Sequence, residues 1–487
     1  MAESIMLSVV AERLPNGAER VGPDVPISGV THDSRMVESG DLFVAIPGEI
    51  SDGHDFLDMA LSKGAAAAIV EHSEAAPSRI VVPDARAALP WAAAVVYGEP
   101  SSRIPVIGVT GTNGKTTVTH LVEQMLVAAG RTAAIVGTVG ARIGEQARSV
   151  ARTTPEASDL QRLLADMVVA GVDVAAIEVS SHAIELHRVD AIHFRVAAFT
   201  NLTEDHLDFH GDMETYFATK ARLFTPDRAE HAVISIDDPA GFGLAGTADL
   251  PVTSVGLDKP ADITATGLVE TIEGSRFVVE TATESFPVVL PLPGRFNIQN
   301  ALVAIGIARE LGLTASAIAE GLSSIGEIPG RFERLKAPNE VTVVVDYAHT
   351  PDAVEAVVGS ARRIATRRVI VVFGAGGDRD RDKRPAMGRA AGQADLAVLT
   401  SDNPRSEDPL AIMTAVKAGM SDATSVVEEP DRRAAIAHAL REARRGDLVL
   451  VLGKGHETGQ EVDGVIEPFD DRGVILEELE MIVGEAS

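Results

Sequence analysis

The segment Gly111-Thr112-Asn113-Gly114-Lys115-Thr116-Thr117 constrains this chain most, because it joins an apolar run, Val106 to Val109, to a helical pattern from Lys115 to Ala129. A strand, a glycine turn and a helix in that order turn backbone N–H groups, the positive end of a helix and a lysine towards one point, which is what a phosphate chain needs. In that reading Lys115 reaches the β- and γ-phosphates and the Thr116 hydroxyl ligates Mg²⁺. The strict phosphate-loop pattern puts a glycine at position 109, which is Val109 here; glycines stand at 108 and 111 instead. A Gly-rich turn before an unrelated helix is the competing reading, and Gly-Lys-Thr in the strand–loop–helix setting argues against it.

The rest of the chain is consistent with a nucleotide-using protein of several domains. At 487 residues it is too long for one ordinary core. Lys and Arg total 43 against 71 Asp and Glu, a net charge of −28, which argues against a nucleic-acid binder or an anionic-lipid binder. Any anion site must be a local basic exception. The absence of cysteine excludes disulfides, thiol catalysis and Cys-ligated zinc. The start, Met1 to Val10, lacks the features of a secretory signal, and no uninterrupted apolar stretch reaches the length of a membrane span. A cytoplasmic protein without membrane insertion is the expectation.

Residues 1 to about 100 mix short strands with Ala-rich helices; Gly40 to Pro47 reads as a strand and Phe56 to Ala68 as a helix. Tyr97 to Pro105 carries linker residues. From Val106 strands and helices alternate, with strands expected at 174–179, 196–199 and 232–236, which predicts a mainly parallel sheet wrapped by helices. Ile263 to Leu290 reads as hairpin structure turning at Glu273-Gly274-Ser275. After Ile328-Pro329-Gly330-Arg331 a smaller α/β unit is expected, with strands at 342–345, 369–373, 396–400 and 448–452. The boundaries drawn are 1–102, 103–328 and 329–487.

Polar motifs cluster at the ends of these strands, where open α/β sheets bind ligands. Glu178 ends one, and an oxygen ligand there suits Mg²⁺; an edge carboxylate without a ligand is the alternative. Asn201 to Gly211 holds Glu204, Asp205, Asp208, His206 and His210, a density that suggests a polar site, though without the HExxH spacing of zinc enzymes. Lys220, between apolar residues of helical spacing, reads on its own as a solvated or snorkelling lysine. Phe373 to Pro385 places Arg379, Arg381, Lys383 and Arg384 beside glycine turns, a candidate anion site in competition with a solvated loop. Asp402-Asn403-Pro404-Arg405 and Gly453-Lys454-Gly455-His456-Glu457 follow two further strands, and Arg405 suits a carboxylate. From these residues alone an ATP-driven ligase, a kinase and a motor-like ATPase all remain open.

The motifs GTNGKTT, EVSSHA, NLTEDHLDFHG, GRFNIQNALVA, DYAHTPD, GGDRDxxKRP, DNPR and GKGHE, in this order after Asp33-Ser34-Arg35, resemble those of the Mur ligase family. The resemblance covers essentially the whole chain. It implies an α/β protein of three domains: one for a UDP-linked substrate, a central phosphate-loop ATPase-like parallel sheet wrapped by helices, and a Rossmann-like C-terminal domain for an incoming amino acid. It implies a monomer that, with Mg²⁺, couples ATP cleavage to amide-bond formation in peptidoglycan synthesis. The expected reaction adds diaminopimelate to UDP-N-acetylmuramoyl-L-alanyl-D-glutamate through an acyl phosphate. L-lysine or another diamine is the alternative amino acid, and the ligase that adds D-Ala-D-Ala is the alternative enzyme.

By this resemblance Gly111, Thr112, Asn113, Gly114, Lys115, Thr116 and Thr117 hold phosphates, while Asn297, Asn300, Arg331 and Asp346 contact adenine and ribose with His349 close by. Thr116 and Glu178 hold one Mg²⁺. Lys220 is carbamylated and helps hold a second, with His206 or His210. Ser34 contacts the uridine diphosphate end, and Thr153, Thr154, Ser180 and Arg188 hold the muramoyl dipeptide. Gly48-Glu49-Ile50 departs from the expected uracil-binding loop. Arg379, Asp402, Asn403, Arg405, Gly453 and Glu457 take the amino acid, and the arginine of Asp402-Asn403-Pro404-Arg405 is what points to diaminopimelate, whose distal carboxylate needs a cation.

Overall fold

Apolar runs with no polar alternation belong to strands covered on both faces, and every residue of Val106–Thr110, Val174–Glu178, Val196–Phe199 and Ala232–Ser235 is buried. The computed structural model describes residues 4–485 apart from 16, 49–50, 73–74, 145, 338–340 and 422–423. Among them lie three main sheets, of five, eleven and six strands in chain order.

The eleven-stranded sheet is parallel from Ala133–Gly137 across Val174–Glu178, Val106–Thr110, Val196–Phe199 and Ala232–Ser235 to Val252–Val255. The strand of the nucleotide motif, Val106–Thr110, thus lies between the strands that end in Glu178 and Phe199. At one edge Gly140–Ile143 and Gln146–Arg148 add antiparallel strands; at the other Ile263–Thr271 joins Val252–Val255 in parallel and, with Gly274–Thr281 and Ser285–Leu290 paired antiparallel, forms the hairpin structure expected from the sequence. One face packs on the helices Lys115–Ala128 and Arg295–Glu310, the other on Ala157–Val169.

The six-stranded sheet has Thr342–Asp346, Leu448–Leu452, Val369–Phe373, Leu396–Leu399 and Ser425–Glu428 in parallel, with Glu333–Lys336 antiparallel at one edge. Its strand ends carry the loops that begin at Tyr347, Gly374, Thr400 and Gly453. In the five-stranded sheet Gly29–Thr31, Asp41–Val44, Ala67–Val70 and Arg79–Val81 are parallel.

The helix expected from Phe56 to Ala68 is shorter. It spans Leu57–Ser62, and Ala67–Val70 is a buried strand. Gly64 explains the break: its φ of +107° ends the helix, and the run of small and branched residues after it then pairs into the sheet.

Candidate functional site

The loop after Val106–Thr110 is shaped by two close approaches. Gly111 has φ +140°, and a Cβ there would stand 2.0 Å from Thr200 Oγ1; Gly114 has φ +91°, and a Cβ there would meet Asn300 Oδ1 at 2.2 Å. Only glycine satisfies both demands at each position. Lys115 folds over this loop and donates to the carbonyls of Gly111 (2.9 Å) and Thr112 (2.8 Å). The loop opens on a cavity of about 580 Å³ lined by Thr112, Asn113, Gly114, Lys115, Thr116 and Thr117. Asn297, Asn300, Arg331, Asp346 and His349 line it too, and so do Thr153 and Ser180. Gly111 shapes the loop without lining the cavity.

Glu178 sits beside this loop because its strand pairs directly with Val106–Thr110. Its carboxylate accepts from Thr116 Oγ1 (3.0 Å), from the Thr138 N–H (2.9 Å) and from Thr138 Oγ1 (3.0 Å). Arg331, from the C-terminal unit, donates to the same Thr116 oxygen at 2.9 Å and stacks over the Tyr347 ring, 4.8 Å from its centroid. A hydroxyl and a carboxylate already facing a cation are the all-oxygen donor set that Mg²⁺ prefers, so these residues fit the metal the family implies. Arg331 therefore stands beside Thr116, at the end of the cavity formed by the glycine loop. Asp346, by contrast, accepts from the N–H groups of Phe332 (2.6 Å) and Ala348 (2.8 Å) and so shapes the cavity wall.

Lys220 overturns the reading of a solvated lysine. It is 1% exposed, its Nζ donates to the Gly111 carbonyl at 3.1 Å, and it lies 4.4 Å from the centre of the Tyr216 ring. Burial, and then the neighbouring Lys115 cation, push its pKa well below the usual lysine value. Helical periodicity missed this because Met213–Ala221 packs the lysine-bearing face against the nucleotide loop.

The two candidate histidines part company. His206 lines the nucleotide cavity, 3.4 Å from Asp205. His210 is buried, and its Nε2 pairs with Ser181 Oγ at 2.9 Å; it lines neither this cavity nor the next.

A second cavity of about 240 Å³ opens at the ends of the C-terminal strands, lined by Arg379, Asp402, Asn403, Arg405, Gly453 and Glu457. Asp205, His206, Tyr347 and His349 line both cavities and form their shared wall. His182, which sequence reasoning left without a role, also lines the second, as does Lys383 of the basic loop. The basic loop is a smaller anion site than its composition promised. Arg381 and Arg384 both pair with Glu407 (3.1 and 2.8 Å), whose pKa the Arg384 hydrogen bonds pull down to about 2. Of the four basic residues of that loop, Arg379 and Lys383 line the cavity.

The residues expected to hold the dipeptide form a hydrogen-bonded scaffold. Thr153 and Thr138 pair through their hydroxyls at 3.2 Å, Thr154 Oγ1 donates to the Glu178 carbonyl at 2.7 Å, and Ser180 N–H donates to Thr154 Oγ1 at 3.1 Å. Arg188 is buried against Glu156 at 2.9 Å. Ser34 is buried at the end of Gly29–Thr31 and lines neither cavity. Of the Gly48-Glu49-Ile50 departure, Glu49 and Ile50 lie outside the described residues.

Asp52, His54 and His72 bring potential metal ligands within 4.8 Å of one another. Hydrogen bonding removes them as a site. The Glu71 N–H donates to His54 Nε2 (3.0 Å), so the proton sits on Nδ1, which donates to Asp52 at 2.6 Å. A neutral imidazole in that state has no lone pair left for a metal.

Burial holds the imidazoles of His182, His206 and His456 at pKa values of about 4. The unfolded chain protonates them near 6.5. The stability that depends on their being neutral is therefore complete above about pH 6.5 and is lost as pH falls towards 4. The urea midpoint is expected to drop across that window, and the drop is expected to be shallower in His456→Gln; an equally steep drop would remove His456 from the account.

A phosphate-loop sheet with an amino-acid-sized cavity facing it across a domain junction defines an ATP-using ligase fold, and the chain belongs to the Mur ligase family. Three family models match in succession: the Mur ligase family catalytic domain over residues 26–107, the Mur ligase middle domain over 109–308, and the Mur ligase glutamate ligase domain over 330–455. Among its relatives is the UDP-N-acetylmuramoyl-L-alanyl-D-glutamate–2,6-diaminopimelate ligase of Geobacter metallireducens, 44% identical over 475 residues and covering 92% of this chain and 93% of the relative. The protein of the same name from Streptomyces avermitilis is 43% identical over 483 residues, covering 96% and 95%. A solved structure of a ligase of that name superposes with a TM-score of 0.68 at 34% identity, covering 94% of this chain and 96% of the other. Among the described residues no helix is long and apolar enough to cross a membrane.

Proposed function

We propose that this protein joins diaminopimelate to UDP-N-acetylmuramoyl-L-alanyl-D-glutamate at the expense of ATP, releasing ADP and phosphate. The observation that carries this reading is the shared wall of Asp205, His206, Tyr347 and His349 between the nucleotide cavity and the Arg405 cavity. A phosphoryl group activated in the first lies next to an amine held in the second, which is what a two-step ligation needs.

The D-glutamyl γ-carboxylate attacks the ATP γ-phosphate, the bond to the bridging oxygen breaks, and ADP leaves with that electron pair. The diaminopimelate amine then attacks the acyl phosphate, loses a proton and expels phosphate. Lys115 and the backbone N–H groups of 113–116 hold the β- and γ-phosphates, and Arg331 adds a cation from the C-terminal unit. Thr116 and Glu178 would hold one Mg²⁺, and a carbamylated Lys220 with His206 would hold a second; bound there, the metals would neutralise charge gathering between two anions. Arg405 and Arg379 take the distal carboxylate, and Glu457 its ammonium. Thr153, Ser180 and Arg188 position the dipeptide, with Ser34 towards the uridine end.

Phosphate release with ATP, Mg²⁺ and the UDP-muramoyl dipeptide tests this, with meso-diaminopimelate, LL-diaminopimelate and L-lysine in separate tubes. Release that needs the dipeptide and one diaminopimelate isomer is expected. Release with lysine alone would overturn the amino acid, and none in any tube would overturn the reaction.

The carbamate has its own test. A buried amine with a depressed pKa is neutral enough to take up CO₂ and form one. Lys220→Ala is expected to lose activity by about 10²-fold, on the scale of a lost electrostatic group, and to regain part of it with added short carboxylic acids. Equal activity with and without the acid would count against a carboxylate at this position.

A further inference from the structure

An asparagine side chain has a donor end and an acceptor end of nearly the same shape, so only its surroundings decide which end faces a ligand. At Asn403 the decision comes from behind the cavity. Its Oδ1 accepts from Lys454 Nζ at 2.9 Å and from the Glu461 backbone N–H at 3.0 Å, while its Nδ2 donates to Glu457 Oε2 at 3.0 Å. Lys454 is fully buried, and its Nζ also donates to the Gly459 carbonyl at 2.7 Å. Turning the amide over would set its NH₂ against two donors, and the low-dielectric surroundings make that costly. The strand Gly459–Val462 binds the same loop elsewhere: Gln460 Nε2 donates to the Asp402 carbonyl (2.7 Å), and the Arg405 N–H donates to the Glu461 carbonyl (3.0 Å).

We propose that Lys454, together with the Glu461 N–H, is a positioning residue that locks the Asn403 amide with its NH₂ towards the second cavity, and thereby sets the preference for an amino acid whose far end carries a carboxylate. The inference rests on the assignment of that cavity to diaminopimelate. A locked NH₂ donates to the distal carboxylate. An amide free to turn offers its oxygen to the lone ammonium at the far end of lysine. A lysine that merely holds the fold together would weaken both amino acids alike.

The test uses the full-length enzyme as wild type, Lys454→Met, Asn403→Ala and the double variant, with kcat and KM measured for diaminopimelate, L-lysine and ATP. Lys454→Met is expected to lower the diaminopimelate-to-lysine ratio of kcat/KM by about tenfold or more, mainly through KM for diaminopimelate, with KM for ATP within about twofold. In the Asn403→Ala background the same substitution is expected to leave the ratio unchanged, because the group it acts through is gone. An unchanged ratio in Lys454→Met, or the same fall with Asn403 absent, overturns the proposal. Should Lys454→Met fail to fold, Glu461→Pro removes the second donor. That N–H serves Asn403 and not the ladder to Val465–Pro468, so proline breaks no strand pairing. A ratio lower than that of Glu461→Ala supports the lock, and an equal one overturns it. Wild-type enzyme that ignores diaminopimelate refutes the proposed function itself and is told apart before any variant is made.

Discussion

Lys115→Ala is expected to lower turnover by about 10³-fold while the protein keeps its fold, since removing one preorganised charge from a transferring phosphoryl group costs roughly 10²–10³ in rate and this lysine also supports binding. The structure explains why the fold should survive. Among the described residues the Lys115 Nζ makes its hydrogen bonds to the carbonyls of Gly111 and Thr112, within its own loop, and the glycines that shape the loop are untouched. Removing the ammonium also takes away one of the groups that depress the pKa of Lys220. The measurement is ATP-dependent phosphate release alongside a thermal melt. Turnover near the wild-type rate would remove the phosphate-loop assignment.

Arg405→Ala is expected to raise KM for diaminopimelate by about 10- to 100-fold and to leave KM for ATP within about twofold. The magnitude follows from losing charge-assisted hydrogen bonds of about 1.5–3 kcal/mol to a carboxylate, at 1.4 kcal/mol per tenfold. Arg405→Lys should recover only part of the loss, because an ammonium cannot reproduce the planar fork. The backbone at this position has φ +53°, a strained value that alanine and lysine must adopt as well, so the three proteins differ in the side chain and not in the turn. Their side-chain environment is also defined: the guanidinium donates to the Gly377 carbonyl at 2.5 Å and lies 3.2 Å from Glu461. Equal changes in both KM values would sink the argument that this arginine selects the amino acid.

Much of the site is local in sequence and was legible for that reason. A phosphate loop is strand, turn and helix in consecutive residues, so Gly111 to Thr117 announce themselves. Glu178, Asp402 and Gly453 lie at or just past the ends of apolar runs, and the direction of a parallel sheet then brings all such ends to one edge. The helix at 57–62 was overextended because Ala-rich segments suit a helix by composition, and only pairing with Asp41–Val44 made 67–70 a strand. The basic loop was overcounted because nothing within it foretells that Glu407, a loop away, would take Arg381 and Arg384.

By itself the sequence determined the class of each domain, the nucleotide loop and the order of polar motifs along the chain, since these depend on periodicity and spacing between near neighbours. The tertiary structure decided the rest. It buried Lys220 against Gly111, 109 residues away, brought Arg331 to Thr116 across the domain junction, and separated His206 from His210, which share one motif. It also placed Lys454 behind Asn403. Each of these is a matter of which side chains lose their water and which partners replace it, and that is set by the packing of distant segments, to which local pattern is blind.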